Sequence, residues 1–349
     1  MQKVQMSTSI PTRIIGPIHF QAMHGLKYQM QGLDIEVPLA TFETTLFHSI
    51  ARGAKLTRLV KTLQTVILSD LMTRSLLFEA PSAHKAHLFA SSISASVVLF
   101  QEEVVSKQSR YAKLVRIDSK VVGSLVYLRM SYETGLASGH NMTTLASDAI
   151  ASYIQKQYPE VVFLSVSGNY CVDKKVSAVN SIYGRGKSVV AEITIPRDLL
   201  YQTLKTTPEK IVELNIKKNL IGSIAAGSLL SANAHYANML LAFYLATGQD
   251  AANIVEGSQG ITTCEVKNDN LVFSVSLPSI IVGTIGHGKD TADSKKHLEI
   301  LQATGPDGSE KLAHIAAAVV LCGELSLLAA LTNQGELSQS HAKIERHKV

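Results

Sequence analysis

A chain of 349 residues with 46% hydrophobic and 17% charged content holds enough apolar mass for about two domains and too little charge for a disordered chain. Its 33 basic and 28 acidic residues give a formal charge of +5 without a basic run, which argues against nucleic-acid binding and suits small anionic ligands. Cys171, Cys264 and Cys322 lie far apart with no metal-type spacing, so neither a disulfide framework nor a metal site is expected, and free thiols fit a cytoplasmic protein.

The opening MQKVQMSTSIPTR lacks the apolar core of a signal peptide. Residues 43–70 carry apolar side chains three and four apart and read as a helix. LLFEA at 76–80 reads as a strand and residues 84–107 as a helix. YAKLVRIDSKVV and SLVYLRMSYE read as a hairpin meeting at Gly123. Residues 141–158 form an amphipathic pattern with Asn141 as a plausible cap, and VVFLSVS is a further strand. This β-α-β-β-α-β order predicts a small ferredoxin-like unit over 76–165. The fold expected is α+β: the small unit is inserted in a larger, helix-rich domain of residues 1–75 and 166–333, with 334–349 as a C-terminal flap.

Residues 219–249 contain no Asp, Glu, Lys or Arg, a length that could span a bilayer. Ser223, Ser228, Ser231, Asn233, His235 and Asn238 inside it would need partners in lipid. The expectation is a long, buried, small-residue helix whose polar groups face a site, and no membrane. A strand pair at 260–266 and 271–276 and a second long helix at 311–331 follow.

SGNYCVDKK (167–175) follows a strand and sets Asp173, Lys174 and Lys175 among small and apolar residues. An ammonium in such a place needs a carboxylate and can stabilise a developing oxyanion. GRGK at 184–187 reads as a basic, flexible turn. GTIGHGKD (283–290) has phosphate-loop spacing, but Asp290 stands where that loop needs a hydroxyl, so a glycine-rich turn approaching a ligand is the stronger reading over nucleotide hydrolysis. Glu43, in the uncharged run PLATFETTLF, is either a buried acid or an exposed first-turn residue. Asp250 reads as a helix cap and His341 as a solvated tail residue.

Six blocks in order then resemble the catalytic domain of 3-hydroxy-3-methylglutaryl-coenzyme A (HMG-CoA) reductase, nearer its eukaryotic-type class. They are PLATFETTL, SGNYCVDKKVSAVNSIYGRGKSVVAEITIP, NAHYANMLLAFYLATGQDAAN, LPSIIVGTIGHG, GELSLLAAL and SQSHAKIERHK. The resemblance implies reduction of the HMG-CoA thioester to mevalonate by two hydrides from NADPH, with NADH as the alternative donor, in isoprenoid synthesis. By the same resemblance Lys174 stabilises the oxyanion, Glu43 protonates the carbonyl oxygen, Asp250 holds both in one network, and His341 protonates the departing thiolate. Arg74, Ser167, Asp173, Lys175 and Asn238 fall at acyl-contact positions, and Ser49, Arg52, Lys205 and Lys218 at coenzyme A positions. Ser109 and Arg110 match the 2′-phosphate site of the small, non-Rossmann cofactor domain. LASGHNM, with Gly139 and Asn141, and GTIGHG, with Ile285, Gly286 and His287, match two nicotinamide-side loops. A homodimer or higher oligomer is implied.

The chain departs from the family pattern at Leu136 (usually Asp), His287 (usually Gly), Ala51 (usually Asn), RIIG at 13–16 in place of ENVIG, and His347 in place of a phosphorylatable Ser. These departures leave a competing reading, an acyl-CoA-binding paralogue with drifted cofactor loops.

Overall fold

The computed structural model describes residues 8–24, 28–29, 32–336, 338–339 and 342, a mixed α+β fold. Its strands are β1 (Thr12–His24), β2 (Tyr28–Gln29), β3 (Leu33–Ala40), β4 (Gln64–Glu79), β5 (Lys113–Val122), β6 (Leu125–Glu133), β7 (Val162–Ser165), β8 (Gly186–Pro196), β9 (Ile261–Lys267) and β10 (Asn270–Ile280). The 16-residue β4 is the hinge of the architecture. Its first half pairs parallel with β1 and antiparallel with β8, within the order β2-β1-β4-β8-β10-β9. Its second half pairs antiparallel with β6 and β7, giving the order β7-β4-β6-β5.

Two apolar cores follow from this division. Ile67 belongs to one, Leu76 and Phe78 to the other. In the second core, Leu76 and Phe78 of β4 and Val126, Leu128, Met130 and Tyr132 of β6 share one face of the sheet by period-two alternation. The helices α2 (Ala83–Ser94) and α3 (His140–Gln157) cover that face through Phe89, Ile93, Ile150 and Ile154.

The first core is organised by α5 (Gly308–Leu331), apolar on nearly every side, as a helix enclosed by protein must be. Among the described residues it is the one helix long and apolar enough to cross a membrane, and 94% of its apolar window is buried in the fold. Two helices approach it through glycine. A Cβ on Gly53 of α1 (Thr44–Val60) would stand 2.3 Å from the Cys322 carbonyl oxygen. A Cβ on Gly323 would stand 2.6 Å from Met239 Sδ on α4 (Tyr236–Ala246).

Several expectations are corrected. The helix expected over 43–70 stops at Val60, where Lys61 turns left-handed (φ 57°) and its N–H donates to the Thr57 carbonyl. Thr65, Val66 and Ile67 then run as strand, in keeping with their branched side chains. The helix expected over 84–107 breaks near Ser96 and bends by 65°. There the Ser91 and Ser96 hydroxyls donate to carbonyls four residues back, competing with the helix ladder. Gly139 (φ 92°), not Asn141, occupies the cap position of α3. Residues 219–249 are not one buried helix. Gly227 (φ 74°) and Leu230 (φ 47°) break the chain, and only α4 is long and well buried. Ile221, Ile224, Leu229 and Leu230 are exposed.

The contact of α1 with α5 gives a direct test. Gly53→Ala places a methyl group against backbone that cannot yield as a side-chain end would, and overpacking of this kind costs about 1–3 kcal/mol. Denaturant unfolding should show a loss in that range; unchanged stability would show that the two helices can separate freely.

Candidate active site

The loop after β7 reaches the helix Ala178–Tyr183 through three non-glycine residues in the left-handed region: Asn169 (φ 59°), Val172 (φ 50°) and Lys174 (φ 55°). Each such residue costs roughly 1–2 kcal/mol, so the loop needs partners. Thr73 Oγ1 donates to the Cys171 carbonyl at 3.2 Å and Asn180 Nδ2 to the Val172 carbonyl at 2.8 Å. The Lys174 N–H donates to Glu256 Oε1 at 3.2 Å, and the Ser177 N–H to Gln259 Oε1 at 3.1 Å.

Held this way, the Lys174 ammonium lies 2.7 Å from Asp250 Oδ2. Asp250 also caps the single turn Ala251–Asn253, its Oδ1 accepting from the Ala252 N–H at 3.1 Å. The hydrogen bond that its ammonium donates to Asp250 raises the Lys174 pKa against partial desolvation. Burial would raise that of Asp250, but the Lys174 hydrogen bond, the Ala252 N–H and nearby positive charge together lower it. Both directions favour an ion pair at neutral pH. The two side chains are 38% and 44% exposed, so the pair stays open to a ligand.

Asp173 faces three cationic or ionisable side chains. Arg185 Nη2 lies 3.0 Å and His140 Nε2 3.8 Å from its Oδ1, and Arg74 Nη1 lies 3.9 Å from its Oδ2. Arg74 Nε donates to Thr144 Oγ1 at 2.9 Å. Lys175 Nζ turns back to the Asp173 carbonyl at 3.0 Å. Ser167 bonds only within its turn, its N–H donating to Ser165 Oγ at 3.0 Å. Of the two readings above, Glu43 is the exposed one, one residue ahead of the first turn. It stands at the cap position of α1, and its Oε2 accepts from Asn238 Nδ2 at 2.8 Å. No hydrogen bond or ion pair links Glu43 to Lys174 or Asp250, so the expected network is two separate pairs among the described residues.

The two glycine-containing loops meet beside Asp250. Ala137 and Ile285 form a parallel bridge, and the Thr284 N–H donates to the Leu136 carbonyl at 2.8 Å. The Gln249 side-chain amide clamps Gly283, accepting from its N–H and donating to its carbonyl, both at 3.0 Å. Gly288 packs on Gly248 so closely that neither position has room for a Cβ. Lys289 is buried in the same loop, its Nζ donating to the His287 carbonyl at 3.3 Å. Gly286 (φ 102°) has nothing within 4 Å of where a Cβ would stand.

The remaining expected residues lie further out. Arg52 on α1 donates to Ser326 Oγ (3.1 Å) and to the Ser326 carbonyl (2.7 Å), and pairs with Glu336. Ser49 lies on the same helix. Lys205 takes a left-handed cap (φ 56°) with its Nζ 5.9 Å from the centroid of the Tyr201 ring, and Lys218 Nζ donates to Asn219 Oδ1 at 3.2 Å. Ser109 Oγ accepts from the Tyr111 and Ala112 N–H groups at 3.2 and 3.0 Å. The Arg110 guanidinium lies 5.7 Å from the centre of the Tyr111 ring. Asn141 is exposed in the first turn of α3. His341 and His347 fall outside the described residues.

The sequence reading missed His140, Arg185, Gln249, Glu256 and Gln259 as members of the site. GRGK is not merely a flexible turn: Arg185 is buried and paired to Glu256 at 2.7 Å.

A family profile for hydroxymethylglutaryl-coenzyme A reductase matches residues 7–346. The chain belongs to the hydroxymethylglutaryl-coenzyme A reductase family. It is 42% identical over 343 residues to the 3-hydroxy-3-methylglutaryl-coenzyme A reductase of Pyrococcus horikoshii, covering 97% of this chain and 81% of that one. It is 41% identical over 346 residues to the enzyme of Aeropyrum pernix, covering 97% and 80%. Among solved structures, a class II 3-hydroxy-3-methylglutaryl-CoA reductase from Streptococcus pneumoniae bound to NADPH aligns with a TM-score of 0.73 at 16% identity, over 95% of this chain and 88% of that one. That last likeness is one of fold.

Within this reductase, His140 supplies a pH test. Burial first, then the Arg185 and Lys174 charges, push its pKa from 6.5 down to about 4, against the pull of Asp173. The unfolded chain therefore binds the proton that the fold refuses, and stability is lost as pH falls from about 6.5 to about 4. His140→Gln removes this contribution. The melting temperature of the wild type relative to the variant should fall across that window, and a difference independent of pH would contradict the assignment.

Proposed function

We propose that the open Lys174–Asp250 pair is the reacting centre of an NADPH-dependent reduction of HMG-CoA to mevalonate and coenzyme A, the reaction of the mevalonate pathway. The observation that carries this is the 2.7 Å contact between Nζ and Oδ2 beside the joined glycine loops. Reducing a thioester to an alcohol places negative charge on the carbonyl oxygen twice. The Lys174 ammonium, kept protonated by Asp250, donates to that oxygen as charge develops, and such preorganised donors are worth about 10²–10³ in rate.

Glu43 serves as the proton source for the carbonyl oxygen, with Asn238 fixing its carboxyl group. His341 protonates the thiolate that leaves after the first reduction. The charged fork of Arg74 and the Lys175 ammonium receive the acyl carboxylate, with Ser167, Asp173 and Asn238 at its rim. Ser49, Arg52, Lys205 and Lys218 receive coenzyme A.

NADPH supplies the hydrides when bound. Residues suited to hold it are present. The open positive-φ Gly286 lets backbone approach a ring without obstruction, flanked by Ile285 and His287. Gly139 leaves the first turn of α3 without a side-chain cap, so its N–H groups, near Asn141, can meet a pyrophosphate. Ser109 and Arg110 receive the 2′-phosphate. The strand order β7-β4-β6-β5 and the helices on one face support reading residues 76–165 as a ferredoxin-like cofactor unit inserted between 1–75 and 166–333, with 334–349 as a flap. The exposed Ile221, Ile224, Leu229 and Leu230 support a homodimer in which a second copy covers them.

The test is oxidation of NADPH with the HMG thioester, followed by absorbance. The wild type should oxidise two NADPH per thioester. Lys174→Met, folded by its melting curve, should lose about 10²–10³ in turnover. Near-normal turnover by that variant would reject the centre.

A further inference from the structure

Glu256 lies in the single-turn helix Ile254–Gly257, six residues beyond Asp250, and is fully buried. One oxygen, Oε1, accepts three hydrogen bonds: from the Lys174 N–H (3.2 Å), Arg185 Nη1 (2.7 Å) and Asn253 Nδ2 (2.9 Å). The other oxygen, Oε2, is buried with no hydrogen-bond partner. Arg185 is 1% exposed and extends the contact, its Nη2 lying 3.0 Å from Asp173 Oδ1. One carboxylate thus grips residue 174 by its backbone and residue 173 through a guanidinium.

Burying a carboxylate and a guanidinium is costly, and an apolar pair of similar volume often serves stability as well. Fold stability alone therefore does not account for a charge here. Geometry does. Lys174 is a non-glycine residue at φ 55°, a conformation it holds only under constraint, and the direction of its side chain follows from that backbone.

We infer that Glu256 is a positioning residue of the reductase: its Oε1 sets the left-handed backbone of Lys174 and, through Arg185, the carboxylate of Asp173, so that the ammonium meets Asp250. The inference rests on the Lys174–Asp250 pair being the reacting centre.

Two substitutions separate geometry from charge. Glu256→Gln keeps an oxygen where three donors converge and puts its amide nitrogen where Oε2 has no partner. Glu256→Leu removes all three contacts. For Glu256→Leu the expected result is a loss of about 10²-fold in kcat, the scale of a small misplacement of a catalytic group, with KM for the thioester within about threefold. Glu256→Gln should recover at least about a third of wild-type kcat, because the three bonds persist.

A second readout does not need turnover. Both variants remove the Glu256 charge, which itself helps raise the Lys174 pKa. The Nζ titration of Lys174, followed by NMR of ¹⁵N-lysine enzyme and assigned with Lys174→Arg, should therefore move clearly further to lower pH in Glu256→Leu, where the contact with Asp250 is lost as well, than in Glu256→Gln. A merely structural role would reduce kcat in step with the folded fraction and move that titration equally in the two variants. A folded Glu256→Leu whose Lys174 titration matches that of Glu256→Gln, or with raised KM at unchanged kcat, overturns the inference. If Glu256→Leu does not fold, the paired Glu256→Leu/Arg185→Met variant, which leaves no lone buried charge, carries the same expectation. If the wild type reduces no thioester, the reacting-centre reading fails, and the titration still decides the role of Glu256.

Discussion

An ammonium that stabilises a developing oxyanion must stay charged, stay open to the ligand and stay in place. Those demands conflict, because burial fixes a side chain but penalises its charge. Here they are divided between parts of one loop. The side chain of Lys174 remains partly exposed and is kept charged by Asp250. Its backbone N–H is held from behind by the buried acceptor Glu256, and Asn180 donates to the Val172 carbonyl of the same loop. The loop takes left-handed conformations at 169, 172 and 174, and at the last of these the N–H donates to Glu256, itself paired with buried Arg185.

The rest of the fold converges on that point. Strand β4 runs through both apolar cores and carries Arg74 where it leaves one for the other. The segment before Asp250 does a similar task on the far side. Gly248 and Gln249 fasten the 283–289 loop, and that loop bridges to Ala137. Asp250 thus meets the lysine loop through its ion pair with Lys174 and adjoins the glycine loops through the neighbouring Gly248 and Gln249. His287 and Leu136, where the chain departs from the family pattern, lie within this joint, and the ion pair stands beside it.

Much of the architecture was legible in the sequence because its signals are local. The hairpin about Gly123, the strands near 162 and 271 and the buried helix near 311–331 follow from alternation, turn residues and continuous apolar pattern. The errors came where a local pattern continued past a tertiary boundary. The helical spacing of 43–70 persists beyond Val60, but sheet pairing with β1 and β8 claims residues from Gln64 onward. Uncharged composition across 219–249 concealed two turns. In the site, Lys174 stood out by chemistry and by resemblance, and Asp250 by resemblance alone. Arg185 and Glu256 did not, because their meaning lies in contacts 71 and 82 residues apart in the chain, and no spacing rule reaches that far. The stretch NIVEGS, with a single Glu among small and apolar residues, carries no spacing signal of its own.

The central claim is that Lys174 and Asp250 act as one unit. A double-mutant cycle in thioester reduction, with Lys174→Met, Asp250→Asn and the pair combined, tests it most directly. Strong coupling is predicted: the double variant should lose no more rate than the worse single variant. Losses that multiply in the double variant would show two independent residues and contradict the account.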